Sequence, residues 1–204
     1  MRVAVVGVQG DVEEHVLATK LAMKKLGIEG DVVATRRPGV VERSDAVILP
    51  GGESTTISKL IFRNVGRKNM AEEIISLAEQ GKPVMGTCAG LILLSKYGDD
   101  QVERTETKLL GLLDVRVKRN AFGRQRESFQ VPLKFKGVGT VEAVFIRAPA
   151  VVEVGRNVEV LAEFERYVVA VREGSVIGLA FHPELNAEFG DTKIHEYFLN
   201  ASLD

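Results

Sequence analysis

Cys88 sits in the run Gly86–Thr87–Cys88–Ala89–Gly90, between the short apolar Val84–Met85 and the apolar Leu91–Ile92–Leu93–Leu94. A lone cysteine is ordinarily a small buried apolar side chain. Here, flanking glycines permit a sharp strand-to-helix turn that lifts the central side chain out of a sheet. This is the thiol version of a nucleophile elbow. A helix N-terminus behind the sulfur favours negative charge there. The chemistry such a residue offers is covalent attack on a carbonyl carbon.

A cysteine nucleophile needs a base, and the histidines on offer are His15, His182 and His195. His182 lies in Phe181–His182–Pro183–Glu184, after an apolar strand-like run. Strand C-termini in α/β sheets are where sites form. Pro183 biases His182 toward extended backbone. In extended chain, residues two apart face the same way, so Glu184 is expected beside His182, orienting its ring. His15 is expected on the first helix and His195 on the last, both outside the chemistry.

A third run, Pro50–Gly51–Gly52–Glu53–Ser54–Thr55, follows another apolar strand. Paired glycines let backbone N–H groups converge on an anion. The Lys-Ser/Thr ending of a phosphate loop is absent. An oxyanion hole built from the N–H groups of Gly52 and Ala89 fits better. A basic run holds Arg116, Lys118, Arg119, Arg124 and Arg126, with Arg147 further on. Most such runs are solvated faces. The functional alternative is a guanidinium fork on a carboxylate-bearing ligand.

The elements that must position these residues follow from apolar patterning. Short runs Val3–Val8, Asp31–Thr35, Asp45–Leu49 and Val84–Gly86 read as strands, alternating with helices over 11–26, 54–64, 69–80 and 89–96. That is a parallel sheet with helices on both faces. The second half reads as strands over 115–118, 131–135, 141–146, 158–164, 167–172 and 175–181, with a tight turn at Glu173–Gly174 and a closing helix over 192–199. One mixed-sheet domain over 1–204 is expected. The chain's 27 Lys+Arg against 28 Asp+Glu argue against a nucleic-acid binder. A single cysteine excludes an intrachain disulfide. With few histidines beside it, a structural metal site is not expected. No apolar stretch reaches the roughly 18 residues of a membrane span. The opening MRVAVVGVQGD reads as a strand rather than a signal peptide, so the expected setting is cytoplasmic.

Together these segments resemble the class I (triad) glutamine amidotransferases, whose pattern is a Gly-x-Cys-x-Gly elbow and a downstream His-x-Glu. Within that class the chain resembles the glutaminase subunits of pyridoxal 5'-phosphate synthase. The runs carrying this likeness are Gln9–Gly10 with Glu14–His15, Leu49–Pro50–Gly51–Gly52–Glu53–Ser54–Thr55–Thr56, Gly86–Thr87–Cys88–Ala89–Gly90–Leu91, Arg119–Asn120–Ala121–Phe122–Gly123–Arg124–Gln125, Ser128–Phe129, Phe145–Ile146–Arg147–Ala148–Pro149, and Phe181–His182–Pro183–Glu184–Leu185. They occur in family order along nearly the whole chain. Asp11 and the polar stretch 98–108 depart from the pattern and are assigned to a partner-facing surface.

The resemblance implies a three-layer α/β sandwich with a central mixed, mostly parallel sheet. It implies a triad of Cys88, His182 and Glu184. It implies L-glutamine contacts at Gly52, Glu53, Ser54, Arg119, Ile146 and Arg147. It also implies a partner, a (β/α)8-barrel synthase subunit in a large hetero-oligomer that receives the ammonia. Gln9 is then the expected relay from that partner to the Gly51–Gly52 loop. No metal, prosthetic group or other cofactor is expected. The rival readings are a glutaminase serving another synthase, such as imidazole glycerol phosphate synthase, and a non-catalytic scaffold on the same fold. A cysteine peptidase or chaperone of similar topology fits the His-Pro-Glu and Gly-Gly-Glu-Ser runs less well.

Overall fold

A computed structural model describes residues 1–123 and 127–201. Arg124, Gln125 and Arg126, part of the basic run, lie outside the described residues. The first half alternates as the apolar pattern requires: β1 (Arg2–Val6), α1 (Val12–Leu26), β2 (Asp31–Thr35), β3 (Ala46–Leu49), α2 (Ser54–Ile61), α3 (Met70–Glu79), β4 (Val84–Thr87) and α4 (Ala89–Leu94). Then come β5 (Ser95–Tyr97), α5 (Asp100–Arg104), β6 (Leu113–Lys118), β7 (Ser128–Phe135), β8 (Gly139–Ile146), β9 (Ala150–Val154), β10 (Glu159–Phe164), β11 (Tyr167–Glu173) and β12 (Val176–Leu179). A 3-10 helix (Pro183–Phe189) and α6 (Lys193–Asn200) close the described chain.

The main sheet runs β2-β1-β3-β4-β12-β11-β9-β6-β5, with β10 on β11, and β7-β8 form a separate ribbon. From β2 to β12 every pairing is parallel; β11 and β9 then run antiparallel. Val3–Val6, Ala46–Leu49 and Val84–Met85 are fully buried. This explains why those strands are continuous apolar runs instead of alternating ones. Each fully buried Val, Leu or Ile contributes about 1.5–3 kcal/mol over an exposed one.

The strand order places the site. Chain travel goes from β1 outward to β2, then returns to β3 on β1's other side and on to β4. The direction of winding therefore reverses between β1 and β3, and ligands bind at such a switch point beyond the strands' C-terminal ends. Gln9 follows β1, Gly51–Gly52 follow β3, Cys88 follows β4 and His182 follows β12. All four converge at one edge of the sheet.

Several sequence expectations are corrected. The helix expected over 89–96 ends at Leu94, and Ser95–Tyr97 is a strand paired with β6. The polar stretch 98–108 contains α5, capped by the Asp99 carboxylate, which accepts from Gln101 and Val102 N–H. Strand β9 (Ala150–Val154), directly after Pro149, is not among the expected strands. Proline is tolerated directly before a strand, where no ladder donor is needed. Strand β7 begins at Ser128 and carries Pro132 inside it, which a two-stranded ribbon accommodates because one edge is unpaired.

Candidate active site

The elbow is built as its spacing requires. Cys88 follows β4 with φ 49° and ψ −102°, left-handed backbone for a non-glycine residue. Such strain persists where surrounding structure over-determines it. Cys88 N donates to Leu179 O at 2.8 Å, which ties the elbow to β12. Behind it, Gly90 packs directly on β3: an added Cβ would stand 2.2 Å from Leu49 O. The thiol is nearly buried and donates weakly to Ile146 O at 3.8 Å.

His182 is buried, and its backbone N donates to Val144 O at 2.8 Å, which fixes the residue against β8. Nδ1 lies 2.7 Å from Glu184 Oε1. The contact is the expected one, but its geometric reason differs. His182 leaves the extended region at ψ 84°, and Glu184 stands in the first turn of the 3-10 helix Pro183–Phe189. A tight turn, and not an extended chain, brings the carboxylate back to the ring.

Sequence reasoning missed a second carboxylate at the same nitrogen. Asp11 Oδ2 is 3.1 Å from His182 Nδ1, so Asp11 belongs to the site rather than to a remote surface. Burial alone would lower the His182 pKa. Hydrogen bonds with Asp11, Cys88 and Glu184 overcome it and push the group up to about 12. The same contact with His182 holds Asp11 below its ordinary value, against the opposing effect of burial. Burial pushes Glu184 up, opposed by His182. Nδ1 being taken by carboxylates, Nε2 is the ring nitrogen left for the thiol. Among the described residues, Asp11, His182 and Glu184 also present ligand atoms within 4.8 Å of one another, close enough to hold a metal ion. The 2.7 and 3.1 Å contacts are of hydrogen-bond length.

Cys88 and His182 line a cavity of about 420 Å³. Gly52, Glu53, Ser54, Ala89, Arg119, Ile146 and Arg147 line it too, so the expected site residues other than Gln9 and Glu184 share one wall or another. Ser54 Oγ is buried and has no hydrogen-bond partner among the described residues. Arg119 is mostly buried, with Nη2 3.6 Å from Glu53 Oε1. Arg147 has left-handed backbone (φ 43°) and an exposed side chain near Glu127. Glu53 is committed elsewhere: its carboxylate caps α2, accepting from Thr55 N, Thr56 N and Thr56 Oγ1 at 2.7–3.0 Å. Those bonds outweigh burial and lower its pKa to about 2. Arg116 does not reach the cavity; its guanidinium binds Glu153 and Gly98 O.

Gln9 is exposed and does not line the cavity. Its Oε1 accepts from Glu53 N at 3.0 Å, and Gly52 (φ 140°) adopts backbone that L side chains rarely do. His15 and His195 lie on α1 and α6 as expected, but they are not remote. His15 Nε2 stands 3.3 Å from Glu184 Oε2, and His195 stands behind His15. No sequence spacing signals this, because α1 and α6 meet only in the folded chain.

The chain is similar to known proteins over nearly its whole length. A subunit of Archaeoglobus fulgidus named pyridoxal 5'-phosphate synthase subunit PdxT is 74% identical over 199 residues, covering 98% of this chain and 97% of the relative. One of the same name from Thermococcus onnurineus is 49% identical, with full coverage of both. A solved glutamine amidotransferase superposes with a TM-score of 0.83 at 42% identity, covering 99% of each chain. PurLQS from Thermotoga maritima, at 19% identity and a TM-score of 0.61, shares the fold. Among the described residues no helix is long and apolar enough to cross a membrane. Residues 5–203 match the SNO glutamine amidotransferase family, and the chain belongs to it.

Proposed function

We propose that the chain is the glutaminase subunit of a pyridoxal 5'-phosphate synthase, acting as one amidotransferase unit over 1–204 in the cytoplasm. The observation that carries this reading is the meeting of Cys88 and His182 in one cavity, with Glu184 on Nδ1. The full-length likeness to subunits named for that synthase supports it.

In this reading the Cys88 sulfur attacks the side-chain amide carbon of glutamine. His182, on which the carboxylates already hold the proton, delivers it to the leaving nitrogen, releasing ammonia and a glutamyl thioester. His182 then takes a proton from water, the hydroxide attacks the thioester carbonyl, and the sulfur is expelled as glutamate leaves, the proton staying on His182. Glu184 holds the ring through both halves. The N–H groups of Gly52 and Ala89 receive the oxyanion. Arg119, Arg147 and the free Ser54 hydroxyl seat the amino-acid end, alongside the Gly52–Glu53 backbone and Ile146. Glu53 contributes mainly as the cap that sets the loop.

The ammonia passes to a (β/α)8-barrel synthase subunit in a large hetero-oligomer. The Gly51–Gly52 peptide is the switch, since glycine tolerates both orientations of a flipped peptide at small cost. Gln9, bonded to the peptide that follows it, relays docking of the partner. The test is glutamate and ammonia release with and without the barrel subunit. Strong activation by that subunit supports the reading. Activation by the imidazole glycerol phosphate synthase acceptor instead would move the chain to that rival, and no turnover with any acceptor would leave a scaffold.

A further inference from the structure

Two buried histidines play no part in the reaction just described. His15 on α1 and His195 on α6 are both fully buried. His15 Nδ1 is 3.1 Å from His195 Nε2. At the other edge of the ring, His15 Nε2 is 3.0 Å from Thr87 Oγ1 and 3.3 Å from Glu184 Oε2. Glu184 Oε2 and His195 Nδ1 are buried and have no hydrogen-bond partner among the described residues.

These distances select one arrangement of hydrogens. Burial, helped by the charge of His182, holds His15 well below its ordinary pKa, and burial lowers His195 to about 3. Each ring is therefore neutral and carries one N–H. Suppose His15 carried it on Nδ1 and donated to His195 Nε2. His195 would then bear its hydrogen on Nδ1, a buried donor with no acceptor, and the bare Nε2 of His15 would face a carboxylate oxygen. Orphaned buried N–H groups are rare, whereas unfilled acceptors are less so. In the opposite arrangement His195 Nε2–H donates to His15 Nδ1, and His15 Nε2–H faces Thr87 Oγ1 and Glu184 Oε2. His195 Nδ1 then only lacks a donor.

We propose that His15 is a positioning residue of the triad: its Nε2–H, fixed by His195, steadies the far oxygen of Glu184 so that the near oxygen stays on His182. This rests on the reading of Cys88, His182 and Glu184 as a triad. Thr87 immediately precedes Cys88, so the same ring also touches the strand end that carries the nucleophile. The titratable groups facing His15 are Glu184, His195 and His182.

Two-bond ¹H–¹⁵N spectra of the intact protein read the hydrogens directly, with three histidines to assign. His15 and His195 are each expected neutral, with a proton-bearing Nε2 and a bare Nδ1. A proton on His15 Nδ1 would overturn the proposal. Activity with the synthase subunit present gives the second arm. His15→Gln keeps an amide nitrogen near the Nε2 position, and His15→Asn keeps one near Nδ1. His15→Asn is expected to lower kcat by about ten- to a hundred-fold, with KM for glutamine unchanged and the acid limb of kcat moved to higher pH. His15→Gln should restore most of the rate. Equal losses in both variants with an unmoved acid limb would mean a packing role only and would sink the proposal. A wild-type protein without glutaminase activity would instead remove the triad reading, whatever tautomer the spectra give.

Discussion

Alanine at Gly51 would press on His182 without replacing any catalytic side chain. A Cβ there would stand 2.4 Å from His182 Cε1, 3.1 Å from Nδ1 and 3.0 Å from Asp11 Oδ2. Non-bonded carbons rest about 3.5–4.0 Å apart, so the ring must withdraw by roughly 1 Å. Its movement is opposed by Glu184, bonded at 2.7 Å, and by the His182 backbone bond to Val144. Gly51 is not among the positive-φ glycines, so the cost is steric and not conformational. A misplacement of about 1 Å at a reacting group costs on the order of 10²-fold. Overpacking of this kind destabilises by about 1–3 kcal/mol. Gly51→Ala should therefore remain folded with a lower Tm, and kcat/KM for glutamine should fall by about a hundredfold. The assay is steady-state glutamate release with the synthase subunit, run beside a thermal melt. Wild-type kcat/KM in the folded variant would refute the placement of His182 against this loop.

The other predictions concern charge and proton transfer. His182→Asn should remove nearly all turnover, about 10²–10⁴-fold, whereas Glu184→Gln should leave measurable activity; equal losses would contradict a purely orienting Glu184. Asp11→Asn removes one of the carboxylates that hold His182 charged, so a ¹⁵N titration of His182 should move to lower pH; an unmoved titration would show that Asp11 is a bystander. The stability supplied by the Asp11–His182 contact is full above the ordinary Asp value of 3.8 and below the ordinary His value of 6.5, and fades as pH rises toward 12. The destabilisation caused by Asp11→Asn should therefore shrink between neutral and alkaline pH in urea melts. Arg119→Ala and Arg147→Ala should each raise KM for glutamine, whereas Arg116→Ala, bound to Glu153 and Gly98, should not; identical effects at all three would indicate a diffuse field instead of a seat.

What the sequence made legible was governed by local patterning. Continuous apolar runs marked β1, β3 and β4 because these strands are buried on both faces, and the glycines around Cys88 marked the elbow because its backbone meets Leu49 O. His182 and Glu184 were legible as neighbours, though the turn joining them was not: Pro183 favours extended chain before itself and also opens a helix. The meeting of Asp11, His15, Thr87 and His195 around His182 and Glu184 was not legible for a different reason. Asp11 meets His182 and His15 meets Glu184, while Thr87 and His195 hold His15; these contacts join the β1–α1 turn, α1, β4 and α6 and depend on strand order, which periodicity does not encode. Glu53 illustrates the converse: its motif pointed to ligand, and its carboxylate is spent on the N-terminus of α2.

The most direct test of the account is the covalent state of Cys88. A glutamine-like alkylating analogue, followed by mass spectrometry of the protein with its synthase subunit, should give one adduct, on Cys88, in step with loss of glutamate release. Cys88→Ala should stay folded, take no label and release no glutamate. Glutamine hydrolysis by Cys88→Ala at the wild-type rate would contradict the account at its centre.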